Sequence, residues 1–221
     1  MNTKIIILGS SGHGRVIAEI LELLNYEIIG FIDSFQPIGK QVLEYKTLGN
    51  ELILKNCLKK YGTLNLVLGI GNNNNRYEIY QKIRTINSEI IYPAIISPRA
   101  YVSKSATIGE GTVIMHNVIA NTGSKIGRFT VLNTSSIIEH DCEIEDFSSL
   151  APGVALGGNV LIGNKAYIGA GATIIQKREI GDNTVIAAGA VVTQNIPANV
   201  LAAGIPAIVK KENYKNNNLF R

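Results

Sequence analysis

The chain contains no tryptophan, two cysteines and six prolines in 221 residues, and only 17% of its residues are charged. Each shortage excludes something. Cys57 and Cys142 form neither a disulfide framework nor a CxxC pair, so a reducing, cytoplasmic setting is expected. The low charge content excludes a coiled coil, and an apolar content of 46% excludes a disordered tail. No apolar run is long enough to span a bilayer, so no membrane insertion is expected. The N-terminal run Ile5-Ile6-Ile7-Leu8 is too short for a signal-peptide core and reads as a strand.

What remains is aliphatic. Ile, Leu and Val dominate the composition, beside 22 glycines and an aromatic content of 6%. This mixture favours repeated strands and turns over a helical bundle. The net charge is +4. The cations are scattered, apart from pairs such as Lys59-Lys60 and Lys210-Lys211. A nucleic-acid binder concentrates them in a stripe, so no nucleic-acid partner is expected. The balance suits small phosphate-bearing ligands, or simply a solvated basic surface.

From Ile96 to Val192, every sixth residue is Ile, Leu or Val in 16 of 17 cases, with Ala120 the exception. Four residues after each of these stands a second set, small or medium except at Arg178 and Ile196. A period of six fits neither a 3.6-residue helix nor simple alternation. It fits short strands with a corner every six residues, three corners closing one coil and the coils stacking into a solenoid. Glycines that follow the aliphatic position, as in Ile108-Gly109 and Ile126-Gly127, are expected to supply backbone freedom at the bends. Cys142 falls on the small inward register and reads as a core thiol.

Residues 1–95 lack this period. The pattern predicts strands at Lys4–Leu8, Glu27–Ile32, Leu66–Ile70 and Glu89–Tyr92, with helices at Arg15–Leu24, Glu51–Lys60 and Tyr77–Arg84. Alternating strands and helices imply a small parallel α/β unit. Gly9-Ser10-Ser11-Gly12-His13-Gly14 joins the first strand to the first helix, where phosphates bind helix N-termini. The pattern is GxxGxG and not the dinucleotide GxGxxG. Asp33 follows Gly14 at a spacing that lets it reach a ribose or sugar hydroxyl. A unit of this size suits one nucleotide better than NAD. Tight turns that hold no ligand are the competing account of the glycine loop.

Three histidines are present: His13, His116 and His140. The last two are not separated by a whole number of coils, so they fall on different corners and share no metal; no metal site is expected. His140 precedes Asp141, and an outward imidazole beside a carboxylate suits a general base. An ordinary surface pair is the competing account. One coil on, Gly158 offers a bare backbone whose N–H is placed to bind an acyl oxygen or thioester tail. Ala170 and Ala188, also one coil apart, form a column of small residues that leaves a groove.

Several stretches together resemble the bacterial sugar acetyltransferases of the PglD-like and NeuD-like type, which act on UDP-4-amino-sugars and on sialic acid. The stretches are Gly9–Gly14, Phe31-Ile32-Asp33, Gly69-Ile70-Gly71-Asn72-Asn73, Leu132–Ser136, Ile138–Cys142 and Gly204-Ile205-Pro206-Ala207. The resemblance implies an N-terminal Rossmann-like nucleotide-sugar domain (1–95), a left-handed parallel β-helix (96–197) and a C-terminal tail (198–221). It implies a homotrimer with active sites between subunits and acetyl-CoA as co-substrate. His140 would be the base, oriented by Asp141. Ser149, Gly158, Ala170 and Ala188 would contact acetyl-CoA. Ser11, Gly12, His13, Asp33 and Gly71 would hold the nucleotide-sugar. The expected reaction is N-acetylation of the 4-amino group of a UDP- or dTDP-linked deoxy-sugar for surface glycan synthesis. Sugar O-acetylation and a non-enzymatic sugar-nucleotide-binding solenoid are the alternatives. Two departures stand out. Ser149 occupies a position where some relatives have a second histidine. Ile208 stands where Lys or Arg is commoner, leaving Lys210 or Lys211 to face the CoA phosphate.

Overall fold

The computed structural model describes residues 3–86 and 90–214. β1 (Lys4–Leu8), β2 (Glu27–Ile32), β3 (Gln41–Val42), β4 (Tyr45–Gly49) and β5 (Asn65–Leu68) form one sheet in the order β3-β4-β2-β1-β5. All neighbours are parallel except β3 and β4, which make an antiparallel hairpin that the sequence pattern does not announce. Helix α1 (Gly12–Leu23) joins β1 to β2, α2 (Leu54–Tyr61) joins β4 to β5, and α3 (Asn73–Ile86) follows β5.

Two helices start earlier than expected. α1 begins inside the glycine loop, behind an extended Ser11. α3 begins within the asparagine run, with the Asn72 side chain accepting from the Asn75 amide. Asparagine as a cap satisfies an orphan first-turn N–H, so a run that reads as loop becomes a helix start. Of the expected strand at Glu89–Tyr92, Glu89 lies outside the described residues, and Ile91 makes a single bridge to Asn65.

From Ile95 onward the chain makes two-residue strands, one every six residues, in three parallel stacks. Face one holds Val113–Ile114, Val131–Leu132, Ser149–Leu150, Tyr167–Ile168 and Val185–Ile186. Face two runs from Tyr101–Val102 through Ile119–Ala120, Ile137–Ile138 and Ala155–Leu156 to Val191–Val192. Face three contains Lys125–Ile126, Glu143–Ile144, Leu161–Ile162 and Glu179–Ile180. Strand partners stand one coil apart, as with Val131 opposite Ser149. The aliphatic register fills the interior, from Ile114 to Val192. The small register lies inside the corners, where Thr112, Ser124, Thr130 and Ser148 each donate to a carbonyl of the next coil. A buried hydroxyl needs such a partner, and Cys142 makes the equivalent contact to the Gly157 carbonyl.

The expected role of the glycines after the aliphatic position is corrected. Gly109, Gly127 and Gly157 do not take the left-handed conformation. A Cβ on any of them would lie 2.6–2.7 Å from backbone atoms of the next coil, so they permit close stacking. The left-handed bend falls two residues later, at Gly111, Asn117, Gly123, Phe129, Ser135 and Asp141, and onward at each sixth position to Gly189. Phenylalanine rarely accepts a positive φ, yet Phe129 (φ 53°) and Phe147 (φ 58°) do so. Their rings stack at 5.0 Å, and Tyr77, Tyr80 and Tyr92 close around them. This aromatic column forms the seam between the α/β unit and the prism.

The three faces differ in what covers them. On face one, Val113, Val131 and Val185 are buried. Face three carries Lys125, Glu143 and Glu179. Face two leaves apolar residues open: Tyr101, Ile119 and Ile137 are 61%, 37% and 38% exposed. A final antiparallel hairpin, Leu201–Gly204 with Ala207–Lys211, adds to the face-one sheet. No helix among the described residues is long and apolar enough to cross a membrane.

Candidate active site

In the α/β unit the strand order reverses beside β1, and a cavity opens there at the carboxyl ends of the strands, as parallel sheets arrange it. Its volume is about 550 Å³. Ser11, Asp33 and Gly71 line it; Gly12 and His13 do not. Asp33 is already engaged. One oxygen accepts from the Ser10 amide and hydroxyl at 3.0 and 2.5 Å, the other from the Phe35 amide at 2.9 Å. Burial pushes its carboxyl up, but these hydrogen bonds outweigh burial and hold it below the usual range. The residue therefore ties the glycine loop to the end of β2 as well as facing the cavity. Sequence reasoning missed Ser34, Phe35, Glu51 and Lys82, which line the same space from three separate segments.

His13 is half-buried, and its Nε2, shielded from solvent, has no hydrogen-bond partner among the described residues. Burial first, and the nearby Arg76 charge second, push its pKa down to about 4. A depressed pKa means that the unfolded chain binds the proton more readily, so the stability is complete above the ordinary histidine pKa and falls as the pH drops towards 4. The contribution lost amounts to about 3 kcal/mol. Urea unfolding from pH 7 to pH 4 should show a steeper loss for the wild type than for His13→Gln; equal slopes would contradict this account.

Arg76 was unreadable from sequence and is fully buried. Its guanidinium donates to the Ile70 carbonyl at 2.8 Å, to the Phe129 and Phe147 carbonyls at 2.8 and 3.0 Å, and to Asn73 Oδ1 and Ser149 Oγ. Desolvation pushes its pKa down to about 9, so it stays charged at neutral pH. The expectation for Ser149 is corrected accordingly. Its hydroxyl is buried and donates to Asn73 Oδ1 at 2.6 Å while accepting from Arg76, which leaves it no access to a thioester.

His140 stands on the edge between faces two and three, with its side chain 53% exposed. Its Nδ1 lies 2.9 Å from Asp141 Oδ2. Asp141 occupies a left-handed bend, which aspartate tolerates. Two glycines make room for the pair. A Cβ on Gly123 would collide with Asp141 Oδ1, and a Cβ on Gly158 would lie 2.6 Å from His140 Nε2. Gly158 is itself buried beneath the ring. The glycine thus seats the imidazole, a role its spacing alone does not announce. Ala170 and Ala188 are exposed, but on the edge between faces one and two. His116 belongs to that edge as well, with Nδ1 2.7 Å from Ser97 Oγ. One chain therefore does not bring His140 together with Ala170 and Ala188. No cluster of metal-ligating side chains occurs among the described residues.

Residues 4–83 match the PglD N-terminal domain, and residues 159–194 match the bacterial transferase hexapeptide of six repeats. A GDP-perosamine N-acetyltransferase of Escherichia coli O157:H7 is 34% identical over 180 residues, 77% of each chain. The chain belongs to the PglD-like acetyltransferase family. Solved structures of PglD-like proteins agree across nearly the whole length. A perosamine N-acetyltransferase from Caulobacter crescentus, a histidine-to-asparagine mutant with CoA and GDP-perosamine, superposes with a TM-score of 0.89 at 32% identity. It covers 96% of this chain and 98% of its own. The acetyltransferase domain of PglB from Neisseria gonorrhoeae, with acetyl coenzyme A, has a TM-score of 0.86 at 30% identity and covers 95% and 100%. The PglD-like architecture is thus a Rossmann-like unit followed by a left-handed β-helix.

Proposed function

We propose that this protein transfers the acetyl group of acetyl-CoA to the 4-amino group of a nucleoside-diphosphate-linked deoxy-sugar, with His140 as general base. The observation that carries the reading is the imidazole held by Asp141 and seated on Gly158 at an open edge. With Nδ1–H donating to Asp141, Nε2 is the basic nitrogen. The sugar amine attacks the thioester carbonyl and forms the N–C bond. Nε2 takes the proton that the nitrogen must lose, the C–S bond breaks, and CoA leaves as its thiol once reprotonated.

A second copy completes the site. Apolar face two lies between the His140 edge and the Ala170–Ala188 edge. Packing face two against neighbouring copies in a homotrimer buries Tyr101, Ile119 and Ile137 and sets one copy's His140 beside another's small-residue groove. Acetyl-CoA fits that groove, with Ala170 and Ala188 at its wall. The cavity of the α/β unit, with Ser11, Asp33 and Gly71, takes the nucleotide.

The sequence suggests a UDP or dTDP carrier, whereas the Escherichia coli relative is a GDP-perosamine acetyltransferase and the Caulobacter protein is seen with GDP-perosamine. Thiol release from acetyl-CoA, measured with UDP-, dTDP- and GDP-linked 4-amino-sugars and with free sialic acid, tests the reading. Release with one nucleotide-linked amine and none with sialic acid is expected. Release with sialic acid alone would make the enzyme an O-acetyltransferase, and no release with any acceptor would remove the enzymatic reading.

A further inference from the structure

The cavity beside β1 is chemically lopsided. At one end it offers backbone: Gly9, Ser11 and Gly71 stand where α1 and α3 begin. Helix N-termini and glycine loops suit a diphosphate. The other end is built from side chains. Lys82 lies well along α3 from Asn73, about 13 Å up that helix. It meets Glu51, which is only 6% exposed. One Glu51 oxygen accepts from Lys82 Nζ, the other from Ser34 Oγ at 2.8 Å. The Glu51 amide is a third donor to the carboxylate, so one lone pair is open as it stands and a second opens when Lys82 turns to a ligand. At the rim the Phe35 ring is 94% exposed, an expensive place for an aromatic side chain with nothing to cover.

With Glu51 and Glu78 against the single cation Lys82, this end is net acidic and attracts hydrogen-bond donors more than phosphate. The common nucleobases differ in what they would show it. Uracil and thymine present a single N–H between two carbonyl oxygens, so a carboxylate facing that edge meets repulsion on both sides. Adenine and cytosine present one amine beside acceptor nitrogens. Guanine presents two adjacent donors, N1–H and the N2 amine, followed by the O6 acceptor. That order matches a carboxylate with an ammonium at its side.

Resting on the reading that a nucleoside-diphosphate sugar fills this cavity, we propose that Glu51, Lys82 and Phe35 form a guanine-reading subsite. Glu51 accepts from N1–H and the N2 amine, Lys82 donates to O6, and Phe35 stacks on the face of the base. The three are specificity-determining residues. They lie in the α/β unit, whereas His140 lies on the prism.

Titration calorimetry of the full chain with GDP, IDP, UDP and dTDP tests this. IDP lacks only the N2 amine. GDP is expected to bind at least about 10-fold more tightly than IDP, UDP or dTDP, because the missing donor leaves a buried carboxylate position unmatched. In Glu51→Gln the gap between GDP and IDP should close. The comparison of GDP with IDP needs no variant, so misfolding of the mutant cannot obscure it. Equal affinity for GDP and IDP, or tighter binding of UDP or dTDP, overturns the guanine subsite and leaves the sugar-nucleotide reading standing. Failure of all four nucleotides to bind overturns both.

Discussion

Replacing His140 with alanine is expected to lower kcat by about 10²–10⁴-fold, the usual worth of a positioned general base. The nucleotide-sugar KM should change little, since the cavity proposed for the nucleotide belongs to the α/β unit. The substitution is also structurally mild. The ring is half exposed and lies over a glycine, so its removal opens surface and no core cavity. Steady-state thiol release with the preferred acceptor measures both constants. Turnover like that of the wild type would end the assignment, and a loss confined to KM would make His140 a binding residue.

Replacing Ile137 with glutamate should cost as much by another route. Ile137 sits near the middle of face two, paired with Ile119 and Ala155. A carboxylate there must be desolvated when copies pack together. The variant should run as a single chain in light scattering and keep its thermal stability. Its thiol release should fall by about 10²-fold or more, because the His140 edge and the Ala170–Ala188 edge no longer meet. An active, dissociated variant would show that one chain suffices.

The prism was legible because its signal is redundant. Every sixth residue from Ile96 repeats the same instruction, and the structure places that register inside. His140 and Gly158 could be put together on paper for the same reason, since the two positions stand one coil apart. What the glycine does there was not legible, because a bare backbone and a seat for a ring look alike in a sequence. The glycines after the aliphatic positions misled in a similar way. Their missing side chains serve the neighbouring coil, while the bends fall to residues as unlikely as Phe129 and Phe147.

The seam was opaque throughout. Arg76 meets Phe129, Phe147 and Ser149 across 53 to 73 positions of chain with no periodicity to relate them. Ser149 could be compared with relatives at its own position, but nothing in the string shows that its hydroxyl is spent on Asn73. Ser34, Phe35, Glu51 and Lys82 in the cavity were hidden likewise, arriving from β2's end, from the turn before α2 and from α3.

That seam also bears on how such a protein can change over generations. The outer surface of face one is valine-rich, and the Phe129 and Phe147 rings and carbonyls are met from the α/β side. A gene rearrangement that carried the solenoid away alone would expose a sticky apolar flank to water. Packing thus makes each half depend on the other for cover, and a change in what the cavity accepts comes at the least structural cost from the residues that line it.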